Sequence, residues 1–160
     1  MSQTKQQKLL KFVFFLSILG ILVSGYLTYL HYSTQNSTCD INATFQCSSV
    51  SNSKYSQILG VPVAILGLFG YMFIGTISWG ILKKENIKML IKNNLLTQFV
   101  SPKTLSLFSV IALIFSLYLT YTEFFLIKAL CIFCLISQAI ILTIAVISYQ
   151  NNNLSKKEEN

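Results

Sequence analysis

Four long apolar runs separated by polar stretches dominate the pattern of the chain. A helix needs about 20 apolar residues to cross about 30 Å of hydrocarbon, so each run predicts a transmembrane helix. The first run is too long for a signal-peptide core of about 7 to 15 residues, so we expect it to be retained. We predict an all-α membrane protein, a four-helix bundle with spans near residues 12–32, 61–82, 105–121 and 125–149. Residues 1–11 then form a leader, and residues 150–160 a polar tail.

The longest polar stretch between the runs is the loop from Ser33 to Gly60, which contains Cys39 and Cys47. Loops of this length are usually functional or partly structured. Within it, the apolar residues of Ser53–Leu59 recur at helical spacing. We therefore predict a short interfacial helix in this loop, which covers the functional site.

Composition supports a membrane domain rather than a nucleic-acid-binding one. A length of 160 residues leaves room for one domain. These residues are 53% hydrophobic and only 11% charged, which is far from the average of soluble proteins. The net charge of +7 comes from lysines that lie beside the apolar runs, not on a basic soluble face. We expect membrane lipid as the surrounding partner and no nucleic acid.

The lysines also predict the orientation of the chain. Ten of the twelve lie in the leader, the second connection and the tail, whereas Lys54 and Lys128 lie on the opposite side. Positive charge favours the cytoplasmic side, so both termini are predicted to be cytoplasmic, in a multi-pass protein of the cytoplasmic membrane. Both cysteine groups then face the extracytoplasmic side, where disulfides form and persist.

Cys131 and Cys134 form a CxxC motif near the head of the fourth apolar run. Residues three apart on a helix are neighbours, so a disulfide between them is within reach. The free amides and dipole of a helix N-terminus stabilise thiolates, which favours a redox role. The competing interpretation is that both are small buried hydrophobic residues.

Cys39 and Cys47 form a second pair in the loop. Taken alone, they predict a structural disulfide that stabilises the loop by about 2 to 3 kcal/mol. Together with the CxxC, they predict a relay in which the outer pair exchanges with a soluble partner and the inner pair passes electrons into the membrane. Zinc is another use of four cysteines, but this outer spacing is too wide for a zinc knuckle, so we expect no metal.

A helix bundle stores no electron pairs, so the relay needs a diffusing acceptor, and we infer a membrane quinone. Gln138 lies one turn below Cys134 and can either donate a hydrogen bond to a quinone carbonyl or join two helices. Several aromatic residues are candidates for lining a quinone pocket: Phe69, Tyr71, Phe73, Phe115, Tyr118 and Phe133. Paired-carboxylate catalysis is not supported by the five acids, Asp40, Glu85, Glu123, Glu158 and Glu159.

The order of these motifs resembles the vitamin K epoxide reductase family in its bacterial form. The matching segments are Cys39-Asp40, Cys47, Ser53-Lys54-Tyr55-Ser56, Gly60-Val61-Pro62-Val63-Ala64, Leu66-Gly67 and the CxxC. In the type B disulfide-forming oxidases, the other quinone-linked family, the CxxC precedes the spaced pair. Here the spaced pair comes first, which favours the epoxide reductase family.

The resemblance implies a four-helix bundle around a quinone, menaquinone or ubiquinone. Cys134 would contact the quinone, with Cys131 as its disulfide partner, and Ser53 would lie close to the cover of this site. Cys47 would exchange with Cys131, and Cys39 would meet a soluble thioredoxin-like partner. Many bacterial members carry a fused thioredoxin-like domain that this chain lacks, so we expect the partner in trans.

Animal members have Tyr four residues after the second CxxC cysteine, where this chain has Gln138. Reduction of vitamin K epoxide therefore lies outside what the resemblance implies here, and the polar second-span residue that binds quinone in some members is not identified. We predict a quinone-dependent thiol-disulfide oxidoreductase that supports disulfide formation. The rival from another class is a non-enzymatic four-span membrane subunit with one structural loop disulfide. In that protein, Cys131 and Cys134 could be replaced by Ala without loss of function.

Overall fold

Four long helices make up most of the fold. The computed structural model describes residues 2–33, 56–58, 60–87, 101–127 and 130–159. The helices are α1 Ser2–Tyr32, α2 Val63–Ile87, α3 Pro102–Thr122 and α4 Ile132–Glu159. All four are long and apolar enough to cross a membrane. The predicted bundle of four transmembrane helices is confirmed.

Helices α1 and α4 extend furthest beyond the apolar runs that predicted them. Helix α1 begins at Ser2, inside the predicted leader, and α4 continues to Glu159, inside the predicted tail. Neither polar segment contains Gly or Pro, so nothing in the sequence stops a helix there. Hydropathy identifies the part of a helix that lies in hydrocarbon, and the helix itself can be longer.

The turn between α3 and α4 also differs from the prediction. Helix α3 begins where Ser101 caps it by accepting a hydrogen bond from the Lys103 N–H at 3.4 Å, with Pro102 in the first turn. At its other end the chain continues as a π-helical segment, Glu123–Ile127. Helix α4 therefore begins at Ile132 rather than near residue 125. The apolar residues of the π-helical segment are close in sequence to the fourth apolar run and were therefore predicted to belong to it. In the structure they extend α3 instead.

A two-stranded hairpin precedes α2. Strand β1 (Gln57–Ile58) pairs antiparallel with β2 (Val61–Pro62). Gly60 makes the turn possible because glycine tolerates its φ of +81°. Val61 precedes Pro62, and a residue before proline favours the extended backbone of a strand. At Gln57–Ile58 the backbone is thus a strand rather than the predicted helix of Ser53–Leu59. The rest of that predicted helix, apart from Ser56, lies outside the described residues.

Helices α1 and α2 approach closely because small residues line their contact. A side chain on Gly75 would lie 2.9 Å from Ser17 Oγ, and one on Gly20 would overlap the ring of Tyr71. Small residues at such contacts let transmembrane helices pack through van der Waals forces, which replace the hydrophobic effect inside lipid. Ser78 adds an interhelical hydrogen bond by donating to the Leu10 carbonyl at 2.9 Å.

The buried core joins all four helices below the CxxC. Its members are Leu10, Val13, Tyr71, Ile74, Ile77, Leu105, Ile140, Ile141 and Ile144. Tyr71 fixes α2 against α4, because its hydroxyl donates to the Ser137 carbonyl at 2.9 Å. Large apolar side chains such as Leu22, Leu107 and Ile114 are more than half exposed, as expected for surfaces that face lipid.

We expect Gly20→Ala to destabilise the bundle by about 1 to 3 kcal/mol, because the added methyl overlaps the buried Tyr71 ring. Gly25→Ala on the same helix is the matched control. Its methyl would lie 3.8 Å from Leu68, an ordinary contact. Thermal unfolding in detergent measures both variants. Equal melting temperatures for the two proteins would contradict the close contact of α1 and α2 at Gly20.

Candidate active site

A largely apolar cavity of about 740 Å³ lies between the helices. Its volume is within the range of about 300 to 1,000 Å³ that is usual for small-molecule sites. All four helices line it, and Ser56 and Pro62 line it from the hairpin side. The cavity reaches from the CxxC to Phe108 and Ile141, deeper in the bundle. It can therefore hold a mostly apolar molecule in direct contact with the cysteines.

Cys131 and Cys134 lie at one end of the bundle, called here the cysteine end. Cys131 directly precedes α4, and its carbonyl accepts the Leu135 N–H at 3.1 Å, so it occupies the N-cap position. Its side chain is 1% exposed and packs against Leu27 of α1 and Ala64 of α2. Cys134 is partly exposed, and both cysteines line the cavity. The predicted placement of the CxxC at a helix head agrees with this geometry.

The surroundings of Cys131 favour its thiolate. A hydrogen bond with the Cys134 side chain lowers the pKa of Cys131 below its ordinary value, and the backbone amides of Cys134 and Phe133 act in the same direction. Burial and the Glu123 carboxylate oppose this effect. The amides of the helix N-terminus therefore help to lower the pKa of Cys131, as expected for a reactive cysteine.

Glu123 is an acid at this site that the sequence did not identify as functional. It opens the π-helical segment, is 4% exposed, and accepts a hydrogen bond from the Cys131 N–H at 3.5 Å through Oε2. Its carboxyl also forms a hydrogen bond with the Cys134 thiol. An isolated acid between two apolar runs, eight residues before the CxxC, was the available signal.

Gln138 joins α3 to α4 and also lines the cavity. Its Oε1 accepts hydrogen bonds from Ser116 and from Thr120, the latter at 3.0 Å. The amide is therefore oriented by two hydroxyl donors. Its Nε2 group has no hydrogen-bond partner among the residues that the structure describes. The helix contact considered for Gln138 is present, and a donor remains for a ligand in the cavity.

The aromatic candidates divide into two groups. Four line the cavity: Phe69, Tyr71, Phe73 and Phe115. Tyr118 and Phe133 are not among the lining residues. Phe133 packs against Tyr26 of α1 instead, with ring centroids 4.9 Å apart. Spacing along the sequence could not separate these groups, because the direction of each side chain depends on how the helices are rotated.

The hairpin lies at the cysteine end of the cavity. Gln57 Nε2 and His31 Nε2 are 3.2 Å apart, which connects the hairpin to the end of α1. Ser56 and Pro62 line the cavity, so this region forms part of the cavity wall at the cysteine end. Three predicted site residues from the preceding loop, Cys39, Cys47 and Ser53, lie outside the described residues.

Metal binding has no candidate site in the described ranges. No group of three or more His, Cys, Asp or Glu side chains is arranged there to hold a metal ion. Of the four cysteines, only Cys131 and Cys134 fall within those ranges. The described part of the chain therefore supplies two of the four thiolate ligands that a four-cysteine zinc site needs.

The chain matches a known protein family over most of its length. The model of the vitamin K epoxide reductase family matches residues 11–149, a range that includes all four cysteines and most of each helix. No curated protein matches the chain. The family match covers most of the sequence, and it agrees with the resemblance seen in the order of the cysteine motifs.

Proposed function

The chain belongs to the vitamin K epoxide reductase family and is a multi-pass membrane oxidoreductase, and from this premise we propose that it oxidises a protein dithiol and reduces a membrane quinone. The partner is a thioredoxin-like oxidoreductase outside the cytoplasm, which in turn introduces disulfides into other proteins. Each cycle converts one partner dithiol to a disulfide and one quinone to a hydroquinone. Two electrons and two protons move in each cycle.

One observation carries this proposal: a CxxC at a helix N-terminus opens into an apolar cavity inside a membrane bundle. Cys131 has the lowered pKa of a reactive thiol. Cys134 lines the same cavity, and an apolar two-electron acceptor in that cavity would contact it. A purely structural pair of buried cysteines has no need of such a cavity.

In the proposed relay, the partner reduces the Cys39–Cys47 disulfide by attack at Cys39. Cys47 then attacks Cys131 in the inner disulfide and displaces Cys134. Cys39 closes on Cys47 and releases Cys131 as a thiolate. The hydrogen bonds that lower the pKa of Cys131 favour this release, because a thiol of lower pKa is the better leaving group.

The ends of the loop support contact between the two pairs. Ser33 follows α1 and Ser56 lines the cavity, so both lie at the cysteine end. Cys39 is six positions after Ser33, and Cys47 is nine positions before Ser56. An extended chain spans at most about 3.5 Å per residue, so the loop cysteines are tethered within about 30 Å of the CxxC side of the bundle.

The proposed acceptor is menaquinone or ubiquinone, a substrate that occupies the cavity with its ring near Cys134. The Gln138 Nε2 group is a suitable donor for one quinone carbonyl, since its own Oε1 is already satisfied. The cavity-lining aromatic rings on α2 and α3 suit the apolar ring and tail. By family resemblance, Ser53 is a further contact. These residues would position the ring and exclude water.

The distribution of lysines supports the orientation. We propose that both termini are cytoplasmic and that the cysteine end faces the extracytoplasmic side of the cytoplasmic membrane. In that orientation the loop pair is accessible to soluble partners, and the cavity lies in the outer half of the bilayer.

Steady-state turnover tests the proposal. Purified protein in lipid receives a reduced thioredoxin-like dithiol protein and a series of quinones, and hydroquinone is followed by absorbance. We expect turnover that depends on both substrates, with one partner disulfide formed per hydroquinone. The absence of turnover with every quinone and donor would instead support the non-enzymatic membrane subunit.

A further inference from the structure

Glu123 is an acid with an environment that acids usually avoid. It is 4% exposed and lines the apolar cavity at the end of a spanning helix. Burying a carboxyl costs free energy unless hydrogen bonds compensate, and such residues inside membrane bundles are commonly functional. Both of its hydrogen bonds go to the CxxC, to the Cys131 N–H and to the Cys134 thiol. The position of this acid is therefore tied to the redox pair.

Capping of α4 does not account for both contacts. The bond to the Cys131 N–H is 3.5 Å long, at the limit of hydrogen-bond distance, and it uses one carboxylate oxygen. A neutral amide oxygen can also accept that N–H, so this contact alone does not require a carboxylate. The hydrogen bond to the Cys134 thiol is the contact that gains from a carboxylate, because a carboxylate can take the thiol proton.

The chemistry at Cys134 needs a proton acceptor, since a thiolate rather than a thiol donates electrons to an acceptor. Besides Glu123 and the two cysteines, the titratable side chains that line the cavity are His31 and Tyr71. Cys131 loses its own proton when the disulfide forms, so it cannot be the final acceptor of the Cys134 proton. His31 is near Gln57 at the hairpin, and Tyr71 donates its hydroxyl proton to Ser137. Glu123 is in direct contact with the reacting sulfur.

We propose that Glu123 is the catalytic base that takes the proton of the Cys134 thiol and returns it to the quinone oxygen; this rests on the proposed quinone reduction. The Cys131–Cys134 dithiol loses two electrons and two protons, and the S–S bond forms. The quinone gains two electrons and two protons and becomes hydroquinone. One proton travels from Cys134 through Glu123. The second, taken from water, balances the proton that Cys131 releases.

The experiment compares wild type with Glu123→Gln in a single turnover. The full chain is reduced with dithiothreitol, desalted and mixed with ubiquinone-1, and hydroquinone is followed by stopped flow. Gln keeps the acceptor for the Cys131 N–H and removes the base. We expect the rate constant to fall about 100-fold, within the usual contribution of a general base. Glu123→Asp, which keeps the carboxylate, should recover part of the rate.

A second readout needs no quinone. Alkylation of Cys134 by iodoacetamide, followed by peptide mass spectrometry, reports how readily its thiol loses a proton. A carboxylate beside a thiol disfavours the thiolate by charge repulsion, so the loss of a base should not slow this reaction. We expect alkylation in Glu123→Gln to be at least as fast as in wild type, although its quinone reduction is slower. Glu85→Gln is the matched control, because Glu85 lies near the far end of α2 from the CxxC. It should leave both rates unchanged.

The outcomes separate this proposal from the broader one. If wild type reduces quinone and Glu123→Gln matches its rate constant, Glu123 is a capping residue and the proposal fails alone. If Glu123→Gln slows alkylation as much as quinone reduction, Glu123 maintains the structure of the site rather than acting as the base, and the proposal also fails alone. If Asp is as slow as Gln, the carboxylate is not the active feature, and the proposal also fails. If wild type reduces no quinone, the proposed function is wrong, and the proposal for Glu123, which depends on it, is wrong as well.

Discussion

We expect Cys134→Ala to abolish quinone reduction while the bundle remains folded. Cys131 and Cys134 both line the cavity, but Cys134 is partly exposed whereas Cys131 is 1% exposed, so a ligand in the cavity reaches the Cys134 sulfur more readily. Removal of a nucleophile from a catalytic unit typically costs a factor of at least about 10⁴, and we expect a loss of this order. The measurement is hydroquinone formation with dithiothreitol as the donor.

The control for this variant is Thr143→Ala on the same helix. Thr143 donates its hydroxyl to the Ala139 carbonyl of its own helix at 2.8 Å, and it does not line the cavity. We expect its activity to equal that of wild type. If Cys134→Ala keeps wild-type turnover, quinone reduction does not occur at the CxxC, and Cys131 and Cys134 are small buried hydrophobic residues.

The second large effect concerns the loop pair. We expect the Cys39→Ala/Cys47→Ala protein to lose turnover with a protein dithiol but to keep it with dithiothreitol. A small dithiol can reach the inner pair directly, whereas a folded partner needs the shuttle. The predicted loss with the protein donor is complete within the sensitivity of the assay.

The rival interpretation of the loop pair predicts a different pattern. If the disulfide only stabilises the loop, its removal should cost about 2 to 3 kcal/mol of stability and lower activity with both donors alike. Parallel assays with the two donors, together with thermal unfolding, distinguish these results. An equal decrease with both donors would contradict the relay.

The four helices could be predicted from the sequence because the length and hydropathy of each apolar run are enough to identify a membrane-spanning helix. The sequence did not predict where α3 ends. Phe124 to Ile127 are as apolar as the spans on either side, and only the folded chain shows that they continue α3 as a π-helical segment. The strand at Gln57–Ile58 was missed for a related reason. Its pairing with Val61–Pro62 depends on the turn at Gly60, while the apolar spacing suggested a helix.

The candidate site was partly predictable. The CxxC at a helix head follows from spacing alone, and its cavity places Gln138 near it as expected. Glu123 was not predicted as part of the site, because its contact with the CxxC depends on how the π-helical segment turns toward α4. The double role of Gln138 also required the structure, since the hydroxyls that orient its amide come from another helix.

The most direct test is the stoichiometry of one turnover in the protein that retains only Cys131 and Cys134. The reduced protein is mixed with excess quinone without oxygen, and hydroquinone and the inner disulfide are both quantified, the latter by peptide mass spectrometry. We predict one hydroquinone per Cys131–Cys134 disulfide. Hydroquinone without that disulfide, or a protein that stays reduced beside the quinone, would contradict electron transfer from this CxxC.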